Sequence, residues 1–257
     1  MDPQSGKPTV DELSRALEDS EKAYRELAVL SYSVAHDLRA PVRSINGYSE
    51  ILLEEHAARL SEEGKGYLRR MRAASLNMAQ LLDAQLKLVS LARGEEPRRE
   101  VVDLSAAAES IASALSRAEP ARLVEFAIQP GLKAPGDPEL LAELLENLLG
   151  NAWKFTSRHP RARIEVGSAV HEGEPSFFVR DDGAGFDPLR AGKLFVPFQR
   201  LHGAAEFPGV GAGLAIVSRI ARLHGGRVSA EGDVEKGATF FFTLSAPGRS
   251  SPSAGAR

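Results

Sequence analysis

Apolar residues recur through the first third of the chain at helical spacing. Leu27, Leu30, Val34, Leu38, Ile45 and Leu52 follow one another at intervals of three, four or seven, which is the seam of a coiled coil or helical bundle. The pattern breaks over residues 55–61, a turn. A second stretch then carries Leu68, Met71, Leu76, Leu81, Leu82, Leu86 and Leu88, up to Gly94-Glu95-Glu96-Pro97, where glycine and proline stop a helix. Residues from about 10 to 91 are therefore expected to form two long helices. A lone hairpin of this kind has too little core, so it is expected to pair with a second copy into a four-helix bundle. The homodimer follows from burial alone.

Beyond Pro97 the period changes. Short alternating or β-rich runs at 123–128, 162–170, 176–180, 227–231 and 238–244 interleave with helical stretches at 105–117, 138–156 and 214–224. This pattern predicts an α/β sandwich with one sheet, largely antiparallel or mixed, because hairpin-length connections join its last strands. The fold class is α+β. The expected boundaries are a linker and helix start at 1–22, a helical unit at 23–96, the sandwich at 97–247 and a disordered tail at 248–257 without an apolar face.

Composition narrows the classes. A chain of 257 residues that is 43% hydrophobic can bury an ordinary core and a smaller second unit. The absence of cysteine excludes thiolate metal sites and cysteine nucleophiles and suits a reducing compartment. A formal charge of −3, with basic residues scattered among acidic ones, gives no nucleic-acid surface. The longest apolar runs fall well short of the roughly 20 residues of a membrane helix, and no signal-peptide core opens the chain. A soluble, cytoplasmic protein without membrane insertion is expected. Few residues precede the helical pattern, so a sensor domain is expected to be absent, removed, or a separate upstream input protein.

Four segments carry the candidate chemistry: 35–41, 147–151, 181–185 and 209–214. At about 100° per residue, His36 falls opposite the apolar seam and faces water. An isolated histidine on a polar helix face is commonly just a solvated residue. Here Asp37 can orient one ring nitrogen, Arg39 adds positive charge, and Pro41 removes the backbone bond to the Asp37 carbonyl and is expected to bend the helix.

Asn147 and Asn151 share one helix face, with Glu143 a turn earlier and Lys154 just beyond. Such asparagines are often caps or solvated positions, but these sit among apolar helix formers. Their amide oxygens suit a hard magnesium ion that also binds triphosphate oxygens, and Lys154 adds a charge for phosphate. Asp181, followed by Gly183 and Gly185, ends a predicted strand. Alone this is a tight turn. With glycines that admit a ring, its carboxylate can accept from the exocyclic amine of adenine, which gives ATP preference. Gly209, Gly211 and Gly213, with Leu214, open a helix whose N–H groups can hold phosphate. The spacing is not Gly-x-Gly-x-x-Gly and no strand precedes it, so a Rossmann reading fails. Between the glycine segments lies a Gly/Ala-rich lid, where Phe195 and Phe198 are expected as hydrophobic anchors and Arg200 as a group able to reach the γ-phosphate.

Taken together, the segments resemble the orthodox two-component histidine kinases, with a HisKA-type dimerisation and phosphoacceptor hairpin and a Bergerat-type ATPase domain. Residues 35–41 are similar to the H-box, 147–156 (including Phe155) to the N-box, 181–186 and 209–214 to the two glycine boxes, and 194–200 to the F-box. The wording around Gly192-Lys193-Leu194-Phe195, Phe198-Gln199-Arg200-Leu201-His202 and Gly225-Gly226-Arg227 is most similar to the phytochrome-like soluble branch. The resemblance implies autophosphorylation of His36 assisted by Asp37, transfer to an aspartate of a response regulator receiver domain, Asn151 on Mg2+ and Asp181 on adenine. Val210 and Ala212 depart from the family's usual threonine and larger aliphatic residue. Ala40 stands where bifunctional members carry threonine or asparagine, which implies weak phosphatase activity. The competing readings are an ATP-driven clamp of the gyrase or chaperone type and a catalytically impaired scaffold in a phosphorelay.

Overall fold

The computed structural model describes residues 10–92, 96–201, 203 and 206–244, with side chains from residue 30 onward. The side chain of Leu27, the helix stop at Gly94 and Glu95, part of the Gly/Ala-rich lid and the tail at 248–257 lie outside the described residues. Two compact units divide the chain, Met1–Arg93 and Gly94–Arg257.

The first unit is a hairpin of α1 (Val10–Glu54) and α2 (Glu62–Ala92), joined through a 3-10 turn at Ala57–Arg59. Ser61 starts α2 by accepting the Gly64 N–H on its hydroxyl at 3.1 Å, and Glu62 and Glu63 favour the positive helix end. The face that α1 turns toward α2 is Ala35, Val42 and Ser49, all buried, at a strict interval of seven. Ser75 of α2 donates to the Val42 carbonyl at 2.7 Å. Small side chains let the two backbones approach closely. The larger seam residues stay substantially exposed: Leu30, Val34, Leu38, Ile45 and Leu52 are 62, 51, 47, 40 and 38% exposed within the chain. Helix α1 runs on through Pro41. Arg39 reaches across to Asp83 and Arg72 to Glu50, tying the helices at two levels.

The second unit runs β1 (Glu100–Asp103), α3 (Leu104–Ala118), β2 (Val124–Ile128), β3 (Lys133–Gly136), α4 (Pro138–Phe155), β4 (Ala162–His171), β5 (Glu174–Asp181), a 3-10 turn (Pro188–Lys193), α5 (Gly213–Leu223), β6 (Val228–Asp233) and β7 (Gly237–Phe242). Five strands form one sheet in the order β2-β4-β5-β7-β6, parallel only between β2 and β4. Strands β1 and β3 pair separately as an antiparallel ribbon. The sequence pattern does not predict this ribbon, because each strand is only four residues long and Lys133-Ala134-Pro135-Gly136 reads as a turn.

Helix α4 is the centre of the core. Asp137 caps it, accepting from the Glu139 and Leu140 N–H groups at 3.0 and 3.2 Å, and Pro138 stands in the first turn. Leu141, Leu144, Leu145, Leu148 and Leu149 are all buried, as are Ile164, Val166, Val179, Phe240 and Phe242 of the sheet. Each such leucine contributes roughly 1.5–3 kcal/mol by burial. His224, fully buried, accepts the Asp137 N–H on Nε2 at 3.0 Å and pairs Nδ1 with the Ile220 carbonyl at 2.8 Å. It fastens the end of α5 to the start of α4. Among the described residues, no helix is long and apolar enough to cross a membrane.

Candidate functional site

On the hairpin, His36 is 65% exposed, and its Nδ1 lies 3.2 Å from Asp37 Oδ1. A carboxylate at Nδ1 holds the proton there and leaves Nε2 with its lone pair. The Arg39 guanidinium is engaged by Asp83 at 2.5 Å, so its charge beside His36 is already paired.

In the second unit a cavity of about 240 Å³ lies among α4, the end of β5, the loop preceding α5 and the first turn of α5. Asn147, Asn151, Lys154, Phe155, Asp181, Gly185, Arg200, Gly209, Gly211, Gly213 and Leu214 all line it. Of the nucleotide residues expected from sequence, only Gly183 does not. The chain brings them together from four separate segments.

Helical spacing puts Asn147, Asn151 and Lys154 on one face of α4. Asn147 Nδ2 donates to the Glu143 carbonyl at 2.9 Å, and its Oδ1 lies where a Cβ at position 213 would come within 2.7 Å. A side chain at position 213 would displace the Asn147 amide from this place. Asn151 Oδ1 accepts from Lys154 Nζ at 3.2 Å, and the ammonium also sits 4.2 Å above the Phe155 ring. Burial, and after it the nearby Arg200 charge, together push Lys154 down to about 8.

Asp181 is buried at the end of β5 and accepts from the Gly183 N–H at 2.9 Å. Burial pushes its carboxyl up to about 7; the Gly183 N–H opposes the shift and the Asp182 charge adds to it. The two glycines of this turn face protein backbone. A Cβ on Gly183 would lie 2.5 Å from the Phe155 carbonyl oxygen, and one on Gly185, whose φ is +59°, would lie 1.8 Å from that of Asp233. They allow the turn to close against α4 and the β6–β7 hairpin, and so hold Asp181 in place.

Arg200 donates to the carbonyls of Gly203 and Phe207, clasping the loop it belongs to. Phe198, expected as a buried anchor, is 39% exposed at φ +62°, with its N–H bonded to the Gly211 carbonyl at 2.9 Å. The anchor is Phe207, which is buried and packs edge-on against Phe155 at 5.0 Å. Phe186, Gln199, Phe207 and Phe240 also line the cavity and were not singled out in the sequence. An aromatic residue inside an otherwise Gly/Ala/Pro-rich loop was the available signal for Phe207.

Two family models match this chain: "His Kinase A (phospho-acceptor) domain" over residues 27–94 and "Histidine kinase-, DNA gyrase B-, and HSP90-like ATPase" over residues 136–248. The chain belongs to the sensor histidine kinases. Methanogenesis regulatory histidine kinase FilI of Methanothrix harundinacea is 35% identical to this kinase sequence over 92% of the chain, and Cyanobacterial phytochrome A of Nostoc sp. is 30% identical over 93%. The chain spans 26% and 31% of the lengths of those two relatives. Among solved structures, full-length ShkA in complex with AMPPNP superposes with a TM-score of 0.61 at 26% identity, covering 83% of this histidine kinase chain and 44% of ShkA.

Proposed function

We propose that this chain transfers the γ-phosphoryl group of ATP to His36 and then to an aspartate on a response regulator receiver domain. The observation that carries this reading is one cavity that gathers Asn147, Asn151, Lys154, Asp181 and four glycines from distant segments. Asp181 accepts from the adenine amine. The N–H groups at the start of α5, with Lys154, hold the phosphates. On the hairpin, Nε2 of His36 attacks the γ-phosphorus as the bond to the β,γ-bridging oxygen breaks and ADP leaves. Asp37 takes the Nδ1 proton of the imidazolium that forms. Positioning and charge neutralisation carry most of the barrier in such a loose transition state.

The donors on α4 fit a magnesium ion. Neutral amide oxygens suit a hard cation whose remaining charge balance comes from phosphate, and Asn151, with Asn147 beside it, would hold it. When bound, the ion neutralises charge on the triphosphate oxygens. The exposed seam of α1 supports a homodimer, since a second copy supplies the apolar cover that this chain lacks. ATP as donor places the chemistry in the cytoplasm. Ala40 offers no side-chain hydrogen bond to a water one turn from His36, so phosphatase activity is weak.

An impaired scaffold gains little support, because Val210 and Ala212 line a cavity in which every expected polar group is present. Incubation with γ-labelled ATP tests the proposal. Acid-labile label is expected on the wild type and none on His36→Gln, which keeps near-normal ATP affinity. Label appearing only as free phosphate points instead to an ATP-driven clamp, and no turnover at all to the scaffold.

A further inference from the structure

Tyr32 stands one helical turn before His36 on α1. Its ring is stacked on the imidazole, with centroids 6.5 Å apart and planes 15° from parallel. Asp37 meets the same imidazole at Nδ1, 3.2 Å away. The two contacts differ in kind. A single hydrogen bond at Nδ1 fixes the tautomer but leaves the ring able to pivot about the bond, because the terminal torsion of a histidine side chain is broad. A stacked neighbour restricts the plane as well. Position 32 also lies about 40° from position 36 around the helix, away from the apolar seam, so the Tyr32 ring shares the face of the reacting group.

We infer that Tyr32 is a positioning residue for phosphoryl transfer: it holds the His36 ring in the one plane in which Asp37 keeps the Nδ1 proton and Nε2 is left to attack. The inference rests on His36 being the phosphoacceptor and adds a residue outside the segment 35–41. An aromatic stack of this type enriches its rotamer roughly two- to tenfold over the unstacked ones. Attack demands an aligned lone pair near its target, so losing that enrichment slows the chemical step and leaves nucleotide binding alone. Tyr32 is 42% exposed, and its replacement leaves no cavity in the hairpin.

The test uses the full chain as it assembles in solution, at saturating Mg-ATP. Tyr32→Ala is expected to lower kcat for autophosphorylation two- to tenfold with KM for ATP unchanged, while Tyr32→Phe keeps the wild-type rate. With isotopically labelled histidine, the His36 ring protons should shift downfield in Tyr32→Ala, where the ring current is lost, and stay in place in Tyr32→Phe. A wild-type rate in Tyr32→Ala overturns the inference. So does a change in KM alone, a Tyr32→Phe variant as slow as Tyr32→Ala, or a slowing that light scattering traces to loss of the assembled state. Persistent label on His36→Gln is a separate result: it removes the phosphoacceptor assignment itself, whatever Tyr32 does.

Discussion

Helix α4 buries Leu141, Leu144, Leu145, Leu148 and Leu149 inside its own unit, whereas α1 leaves Leu30, Val34, Leu38, Ile45 and Leu52 facing water. Both helices carry strong apolar periodicity, and the period alone does not say what covers it. In the second unit a five-stranded sheet, α3 and α5 supply the cover. In the hairpin, α1 buries the small residues Ala35, Val42 and Ser49 and is tied to α2 by the Arg39–Asp83 and Arg72–Glu50 pairs, so the strongest apolar stripe is left for another surface. The chemistry divides the same way. His36 stands in solvent, while Asp181 and Lys154 are desolvated around one cavity.

The largest effect is expected from charging the stripe. Leu38→Glu with Ile45→Glu places unpaired carboxylates in the seam, each costing about 3–5 kcal/mol if covered. Sedimentation should then show a monomer at micromolar concentration, while ATP affinity, a property of the other unit, stays as in the wild type. A variant that remains dimeric would mean that the stripe is covered by something other than a second copy.

Next in size is Asp181→Asn. A hydrogen bond to a charged acceptor is worth roughly 1.5–3 kcal/mol, so Mg-ATP affinity should fall about ten- to hundredfold by calorimetry. In the wild type the Asp181 carboxyl, pushed up to about 7, must ionise to accept fully from adenine. Affinity therefore weakens as pH is lowered through 7, and binding near neutrality releases a proton. For the unliganded protein the sign reverses: the unfolded carboxyl titrates near 3.9, so between about 4 and 7 the folded state holds the extra proton and stability falls as pH rises. Asp181→Asn should flatten both dependences. Unaltered profiles would place adenine elsewhere.

The smallest effect concerns Ala40→Thr. A hydroxyl one turn from His36 should raise decay of a phosphorylated regulator by a few-fold, with autophosphorylation spared. Rapid decay driven by the unmodified protein would mean that Asp37 or Arg39 already orients the water.

Much of this arrangement was legible in the residues, for identifiable reasons. The helices and all five strands of the main sheet showed through their periods, and glycines at 209, 211 and 213 marked a loop that lines the cavity, two of them at positive φ where glycine is favoured. The α1–α2 contact was not legible. Ala35, Val42 and Ser49 are weakly hydrophobic, so a search for large apolar residues found the uncovered stripe and passed over the covered one. Phe198 was misjudged and Phe207 passed over for a related reason: a loop has no period, and which of its side chains turns inward depends on partners such as Phe155 that arrive from elsewhere in the chain.

The uncovered stripe on α1 has a consequence for dosage. If the seam is complete only when two copies meet, the population of assembled bundle rises with the square of copy number while the protein is scarce, and in direct proportion once it is abundant. Halving a scarce protein then leaves about a quarter of the assembled bundle, with no change to any residue that lines the cavity.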